Sequence, residues 1–142
     1  MSYDWIINTQ LGRRNLSPEQ ASYLRGKRYN LEKTAGHGAK SAHHSEGQHT
    51  AEKLAAEYKV SRATIERDGQ FAEAVDTLAQ NVGHAVKQQI LTRDAPLTKE
   101  ATVHLAKAPV ETQRAVVEKL KELQAAYEQA LAHIQRQSAV AA

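Results

Sequence analysis

The sequence of 142 residues contains no cysteine, three prolines and few aromatic residues. Without cysteine, neither a disulfide framework nor a thiolate metal site is available, which is typical of a reducing cytoplasm. No apolar run reaches the length that spans a bilayer, and the N-terminus lacks the basic and apolar regions of a secretory signal. We therefore exclude the disulfide-rich secreted proteins and the membrane-spanning proteins, and expect a cytoplasmic protein.

Alanine, leucine, glutamine, glutamate and lysine are abundant, and these residues favour helices. The composition predicts an all-α fold, and the residue spacing described below predicts that it is a helix-turn-helix bundle with a long C-terminal helix. We expect lead-in helices in residues 1–30, a flexible loop rich in glycine and histidine in 31–49, and a helix-turn-helix core in 50–108. Residues 109–142 are predicted to form the C-terminal helix and a disordered tail.

Capping signals predict where the helices begin and end. Ser17 and Gln20 are the two ends of a capping box, so a helix is expected from Pro18 to Arg28. The other predicted boundaries are a helix from Thr50 to Tyr58, a helix opened by Ser61 and ending near Gly69, a break at Gly83, a helix from Thr98 to Lys107 and a long helix from Pro109.

The segment LAAEYKVSRATIER has the spacing of a helix-turn-helix, in which two helices cross closely at an angle. Ala55 is small enough for the crossing point, Val60 covers the turn, and Ile65 anchors the inner face of the second helix. Ser61 is suited to cap that helix. Lys59 occupies the position where glycine usually takes the left-handed conformation, which costs a residue with a side chain on the order of 1 kcal/mol.

The start of the second helix carries the side chains that would read DNA. In the major groove such a helix end reaches the base edges, and an arginine can donate two hydrogen bonds to guanine. The residues expected nearest the bases are Ser61, Arg62, Ala63, Thr64, Glu66 and Arg67. Of these, the two arginines are expected to contribute most to sequence preference.

The positive charge of the chain lies in its N-terminal half. Residues 1–70 contain 11 basic and 8 acidic residues, whereas residues 71–142 contain 8 of each. Such a bias is typical of a phosphate-binding surface, although a solvated face produces the same pattern. The residues expected to contact phosphates are Arg13, Arg14, Arg25, Lys27, Arg28 and Lys59.

With its flanking segments, the helix-turn-helix resembles the DNA-binding region of ParB-type, KorB-like proteins of plasmids and phages. The likeness covers about residues 4–120 and includes FAEAVDTLAQNVGHAVKQQIL and LTKEATVHLAKAPVETQ. It implies binding to double-stranded DNA at an operator or partition site and association with the nucleoid. The nucleotide-binding domain that usually precedes this region in such proteins is not recognised in the sequence.

The C-terminal helix carries an apolar seam with alternating steps of four and three residues. Its members are Val116, Leu120, Leu123, Tyr127, Ala130 and Ile134. A seam of this length either packs back onto the body of the protein or pairs two copies in a coiled coil. Both interpretations remain open from the sequence, and the second predicts a homodimer.

Other functions find less support in the sequence. The four histidines of the predicted loop, His37, His43, His44 and His49, lack the fixed spacing of metal ligands, so a solvated loop or weak phosphate contact is expected. We find no catalytic constellation and expect neither an enzyme nor a bound cofactor or metal. The remaining alternative is a helical adaptor that binds a protein partner through its C-terminal helix and has no affinity for DNA.

Overall fold

The structure is a computed structural model that describes residues 3–12, 15–35 and 44–141, and all regular structure in these ranges is α-helical. The helices are α1 (Tyr3–Leu11), α2 (Pro18–Ala35), α3 (His44–Tyr58), α4 (Arg62–Val82), α5 (His84–Leu91), α6 (Lys99–Lys107) and α7 (Val110–Ala141). The predicted all-α fold with a long C-terminal helix is confirmed. None of the helices described is long and apolar enough to cross a lipid bilayer.

Helix α4 lies at the centre of the fold, and α2, α3, α5, α6 and α7 all pack against it. Phe71, Val75 and Leu78 repeat at helical spacing along its inner face and are almost fully buried. They form the main core with side chains of α5, among them Val86 and Ile90, and with residues of α2, α6 and α7. The long central helix therefore holds the other elements in place.

A second core lies between α3 and the first turns of α4. It consists of Leu54 and Ala55 from α3, Ile65 from α4 and Tyr29 from α2, together with the smaller Ala51. Because α2 contributes to both cores, it fixes the helix-turn-helix segment to the body of the protein.

The caps predicted at Ser17 and Thr98 are confirmed. The backbone N–H of Gln20 donates to Ser17 Oγ at 3.0 Å, and the N–H of Ser17 donates to Gln20 Oε1 at 2.8 Å. At the start of α6, Thr98 Oγ1 accepts a hydrogen bond of 3.0 Å from the N–H of Ala101. Gly83 separates α4 from α5 with a φ of 108°, a conformation that favours glycine.

The helices on both sides of the predicted flexible loop are longer than expected. Helix α2 continues past Arg28 to Ala35, and α3 begins at His44 and not at Thr50. Tyr29 packs in the second core, so tertiary packing supports a helix where the sequence has no clear apolar period. Residues 36–43, the middle of the predicted loop, lie outside the described residues.

The prediction that the helix opened by Ser61 ends near Gly69 is wrong, because α4 continues to Val82. Gly69 instead permits close contact with α2. A Cβ atom at this position would lie 2.8 Å from a ring carbon of Tyr29, and Asn30 Nδ2 donates to the Gly69 carbonyl at 2.9 Å. The glycine is therefore explained by helix packing and does not terminate α4.

Helix α7 has a packed beginning and an exposed remainder. Gln113 is 1% exposed, and its Nε2 donates to the carbonyls of Ala106 and Ala108 at 3.2 and 3.0 Å. Val117 is also buried, but the side chains of residues 125–140 are exposed. The predicted disordered tail is helical as far as Ala141, in keeping with its alanine content.

Candidate nucleic-acid interface

Three residues, 59–61, join α3 to α4 in a tight turn. Lys59 has a φ of 58°, so it adopts the left-handed conformation expected at this position. The backbone N–H of Val60 donates to the Ala55 carbonyl at 3.0 Å, and the Val60 side chain packs against the second core. Backbone hydrogen bonding and apolar packing therefore hold the turn.

Ser61 caps α4 as predicted. Its backbone is extended, and its Oγ accepts a hydrogen bond of 3.1 Å from the N–H of Thr64. Ser61 Oγ also lies 2.8 Å from Thr64 Oγ1. The cap starts the helix at a defined residue, and the partial positive charge of a helix start suits phosphate or electronegative base edges.

The inner face of α4 determines which side chains face outwards. Ile65 is fully buried, and Phe71 is 1% exposed. Between them lies Asp68, which is 3% exposed although it replaces the apolar residue usual in this pattern. Its Oδ2 accepts a hydrogen bond from Arg25 Nε at 2.8 Å, and this ion pair makes a carboxylate tolerable on a buried face.

The first two turns of α4 bring the six predicted base-reading residues together. Four of them are exposed (Ser61, Arg62, Ala63 and Arg67), and two are half-buried (Thr64 and Glu66). No other part of the described chain covers the two arginine side chains enough to bury them. A ligand approaching the start of α4 would therefore meet these residues first.

The two arginines differ in their surroundings. Arg62 forms ion pairs with Glu66 at 3.0 Å and Glu52 at 3.8 Å, all three side chains being at least 40% exposed. Pairs this exposed contribute about 0–1 kcal/mol, so Arg62 can exchange them for another partner. Arg67 Nε donates to the Ala63 carbonyl at 3.3 Å, and within the described ranges Arg67 has no carboxylate partner.

The prediction that Arg28 contacts phosphates is wrong, because its side chain is buried. It forms ion pairs with Glu57 at 2.9 Å and Glu32 at 3.1 Å and donates to Tyr58 Oη at 2.6 Å. Burial alone would lower the pKa of Arg28, but the hydrogen bonds with Glu57 and Tyr58 outweigh it and raise the pKa above its usual value. Arg28 connects α2 to α3.

Arg25 and Lys27 are also engaged inside the molecule. Arg25 pairs with the buried Asp68, as described above. Lys27 Nζ lies 2.6 Å from Asp76 Oδ2, and Lys87 Nζ lies 3.3 Å from the other carboxylate oxygen. Of the remaining predicted phosphate contacts, Lys59 is exposed, and Arg13 and Arg14 lie outside the described residues.

A cleft of about 450 Å³ lies between the first half of α4 and α6. Arg67 lines it from α4, and Lys99, Glu100, His104 and Lys107 line it from α6. Sequence reasoning missed this surface because nothing in the residue pattern indicates which face of α4 receives α6.

The apolar seam of α7 divides into two parts. Val116 packs against the main core and Leu120 is half-buried, so the first part packs back onto the body. The four members further along are exposed: Leu123 by 55%, Tyr127 by 68%, Ile134 by 59%, and Ala130. Leu131, which sequence reasoning did not include, is 41% exposed and belongs to the same face.

Comparisons of the chain with protein-family models, curated proteins and solved structures found no match. The resemblance to ParB-type proteins therefore stays a prediction based on the sequence pattern. Within the ranges that the structure describes, no three histidine or acidic side chains lie close enough to hold a metal ion, and His37 and His43 fall outside those ranges.

Proposed function

We propose that the protein binds double-stranded DNA with sequence preference, in the manner of ParB-type, KorB-like regulators or partition-site binders of mobile elements. The observation that carries the proposal is the exposed start of α4. Its inner face is held by Ile65, Asp68 and Phe71, while Arg62 and Arg67 face outwards.

The dimensions and charge of this helix end suit the major groove. The groove of B-DNA admits one α-helix, and the exposed residues of its first turns reach the base edges. Arg67 is the stronger candidate for pairing with guanine, because Arg62 must first leave Glu66 and Glu52. Lys59, immediately before the cap, is placed to contact the neighbouring phosphate backbone.

Selection of bound duplexes from a random pool tests the proposal, and the selected sequence then serves to compare variants. Replacing Arg67 with alanine should weaken binding to that duplex by about 1–3 kcal/mol and relax the preference at one base pair. Binding is measured by fluorescence anisotropy at several salt concentrations, with a scrambled duplex alongside.

Arg114→Ala is the matched control. Arg114 is exposed on the first turns of α7, next to Gln113, which contacts Asn81 near the far end of α4. Its replacement should leave base preference unchanged. Absence of affinity for any duplex at low salt would contradict the proposal, since phosphate contacts must strengthen as salt falls.

We further propose that a second copy of the chain covers the exposed face of α7. Residues 123–142 contain only two charged residues, Glu128 and Arg136, whereas 6 of residues 110–122 are charged. A helix that stays in water normally carries its charges where it is exposed, but here the exposed part carries fewer. Pairing two copies would place two α4 helices on an inverted-repeat site.

Sedimentation equilibrium tests this pairing. Tyr127→Glu combined with Leu131→Glu should convert dimers to monomers without destabilising the monomer, because both side chains are already exposed. Ala132→Glu, on the opposite side of the helix, is the control and should leave the dimer intact. A wild-type chain that stays monomeric at high micromolar concentration would contradict the pairing.

The same apolar face favours a second candidate function, that of a protein adaptor. In that case α7 would bind a different protein, and the helix-turn-helix would serve only as architecture. The wild-type chain would then show no duplex affinity at low salt, while Tyr127→Glu would abolish binding of the partner.

A further inference from the structure

Basic side chains without a carboxylate partner gather at the cleft between α4 and α6. Arg67, Lys99 and Lys107 line it, and none of them belongs to an ion pair within the part of the chain that the structure describes. Lys99 Nζ lies 2.9 Å from Ser22 Oγ, a neutral partner that leaves its charge uncompensated. The cleft therefore has three positive charges available for an anion.

Two carboxylates line the same cleft, but only one can oppose an anion strongly. Asp68 is 4% exposed in its side chain and is neutralised by Arg25 at 2.8 Å. Glu100 is exposed in the first turn of α6, where the helix dipole favours a negative charge. The balance of the cleft stays positive.

The lining of the cleft combines charged and apolar groups. Val103 contributes apolar surface, and the lysines lie at the α6 side of the cleft. A DNA strand alternates phosphates with deoxyribose rings, and proteins commonly hold its phosphates with lysine and arginine. A single small anion would leave most of the cleft unfilled.

The cleft is continuous with the proposed base-reading surface. Thr64 and Arg67 belong to both, since they lie on the first turns of α4 and also line the cleft. A duplex that receives the start of α4 in its major groove must place a strand beside that helix. Helix α6 lies along this side of α4.

We infer that the cleft between α4 and α6 holds the sugar-phosphate backbone of one DNA strand, with Lys99 and Lys107 as phosphate contacts and Arg67 joining the cleft to the base-reading surface. The inference rests on the proposed DNA binding and replaces α2 as the predicted phosphate surface. It assigns the salt dependence of binding largely to α6.

The test is a double variant, Lys99→Gln with Lys107→Gln, measured on a selected and a scrambled duplex from low to moderate salt. Each lost phosphate contact should reduce the slope of log K against log salt by about 0.9. The double variant should therefore reduce the magnitude of this negative slope by about 1.8. It should weaken binding to both duplexes alike and leave the ratio of their affinities unchanged.

Two controls accompany this variant. Lys119→Gln with Lys121→Gln removes the same charge from α7, where these lysines pair with Glu122 and Glu118, and should leave the slope almost unchanged. Glu100→Gln removes the acid from the cleft and should tighten binding to both duplexes. Thermal unfolding of every variant verifies that the fold is intact.

The outcomes separate this inference from the proposed function. If the wild-type chain binds duplexes but the double variant keeps its full salt slope, the cleft assignment is wrong and DNA binding stands. If the double variant lost affinity for the selected duplex alone, the cleft assignment would also be wrong, because the lysines would then read bases. The inference would also be overturned if inorganic pyrophosphate bound at micromolar concentration without competing with duplex DNA. The cleft would then be a site for a small anion.

Discussion

Three basic side chains of helix α2 and three basic side chains of the cleft between α4 and α6 have different surroundings. The three on α2 each have a carboxylate at close range: Arg25 with Asp68 at 2.8 Å, Lys27 with Asp76 at 2.6 Å and Arg28 with Glu57 at 2.9 Å. In the cleft the three cations have no such partner within the described residues. The first set stabilises the fold, and the second is available to a ligand.

The density of charge along a sequence therefore does not locate a binding surface. Apart from Glu32, which lies on α2 itself, the carboxylates that engage these cations lie on α3 and α4, at least 29 positions further along the chain. Only packing brings them to α2. A cation is available to an external anion when the fold supplies no internal one, and this condition is met on α6.

Replacement of Arg25 should have the largest effect on stability. Arg25→Ala leaves the carboxylate of Asp68 buried and unpaired, which typically costs about 3–5 kcal/mol. Urea unfolding followed by circular dichroism should show a midpoint shifted to lower concentration with an unchanged slope. The native secondary structure should remain, because the main core is untouched.

A double replacement separates the ion pair from simple loss of packing. Arg25→Met with Asp68→Leu removes both charges and keeps apolar volume, so its stability should lie within about 1–2 kcal/mol of the wild type or exceed it. If Arg25→Ala lowered the free energy of unfolding by no more than a typical surface substitution does, the ion pair of Arg25 would not be structural. The contrast between α2 and the cleft would then be wrong.

Asp76 should make the stability of the fold depend on pH. Burial alone would raise the pKa of Asp76, but hydrogen bonds from Lys27 and Tyr23 and the charge of Lys87 outweigh it, and the pKa lies below its usual value. The carboxylate therefore stabilises the fold fully above the unfolded pKa of about 3.9, and this contribution is lost as pH falls through the lower folded value.

Asp76→Asn should accordingly destabilise the protein by roughly 1–3 kcal/mol at neutral pH, and the difference should shrink as the pH falls below the unfolded pKa of the carboxylate. Chemical unfolding at a series of pH values measures both the loss of stability at neutral pH and its decrease in acid. Glu73→Gln, an exposed carboxylate on the same helix, is the control and should change stability by less than about 0.5 kcal/mol. A penalty for Asp76→Asn that is constant with pH would argue against the ionic explanation.

The parts of the structure that sequence reasoning predicted are those governed by neighbouring residues. The caps at Ser17, Ser61 and Thr98 are hydrogen bonds between residues three apart. The left-handed turn at Lys59 and the buried Ile65 follow from the spacing of one short motif. The exposure of the arginines at the start of α4 follows from the same helical period.

The parts that were missed depend on contacts between distant segments. Gly69 resembles a helix end in the sequence, and only the close approach of Tyr29 explains why a glycine lies within the helix. Two partners of Arg28, Glu57 and Tyr58, lie on another helix, so the sequence around Arg28 gave no sign of its burial. The cleft was not predicted, because it requires knowing which side of α4 packs against α6.

The smallest expected effect concerns the folding contribution of the cleft cations. Arg67→Gln with Lys107→Gln should change the free energy of unfolding by at most about 1 kcal/mol, since neither side chain loses a carboxylate and surface substitutions usually act weakly. The same urea titration used for Arg25→Ala gives the comparison. A cost approaching that of Arg25→Ala would mean that these cations have internal partners, and the distinction between a structural and an available set of charges would then fail.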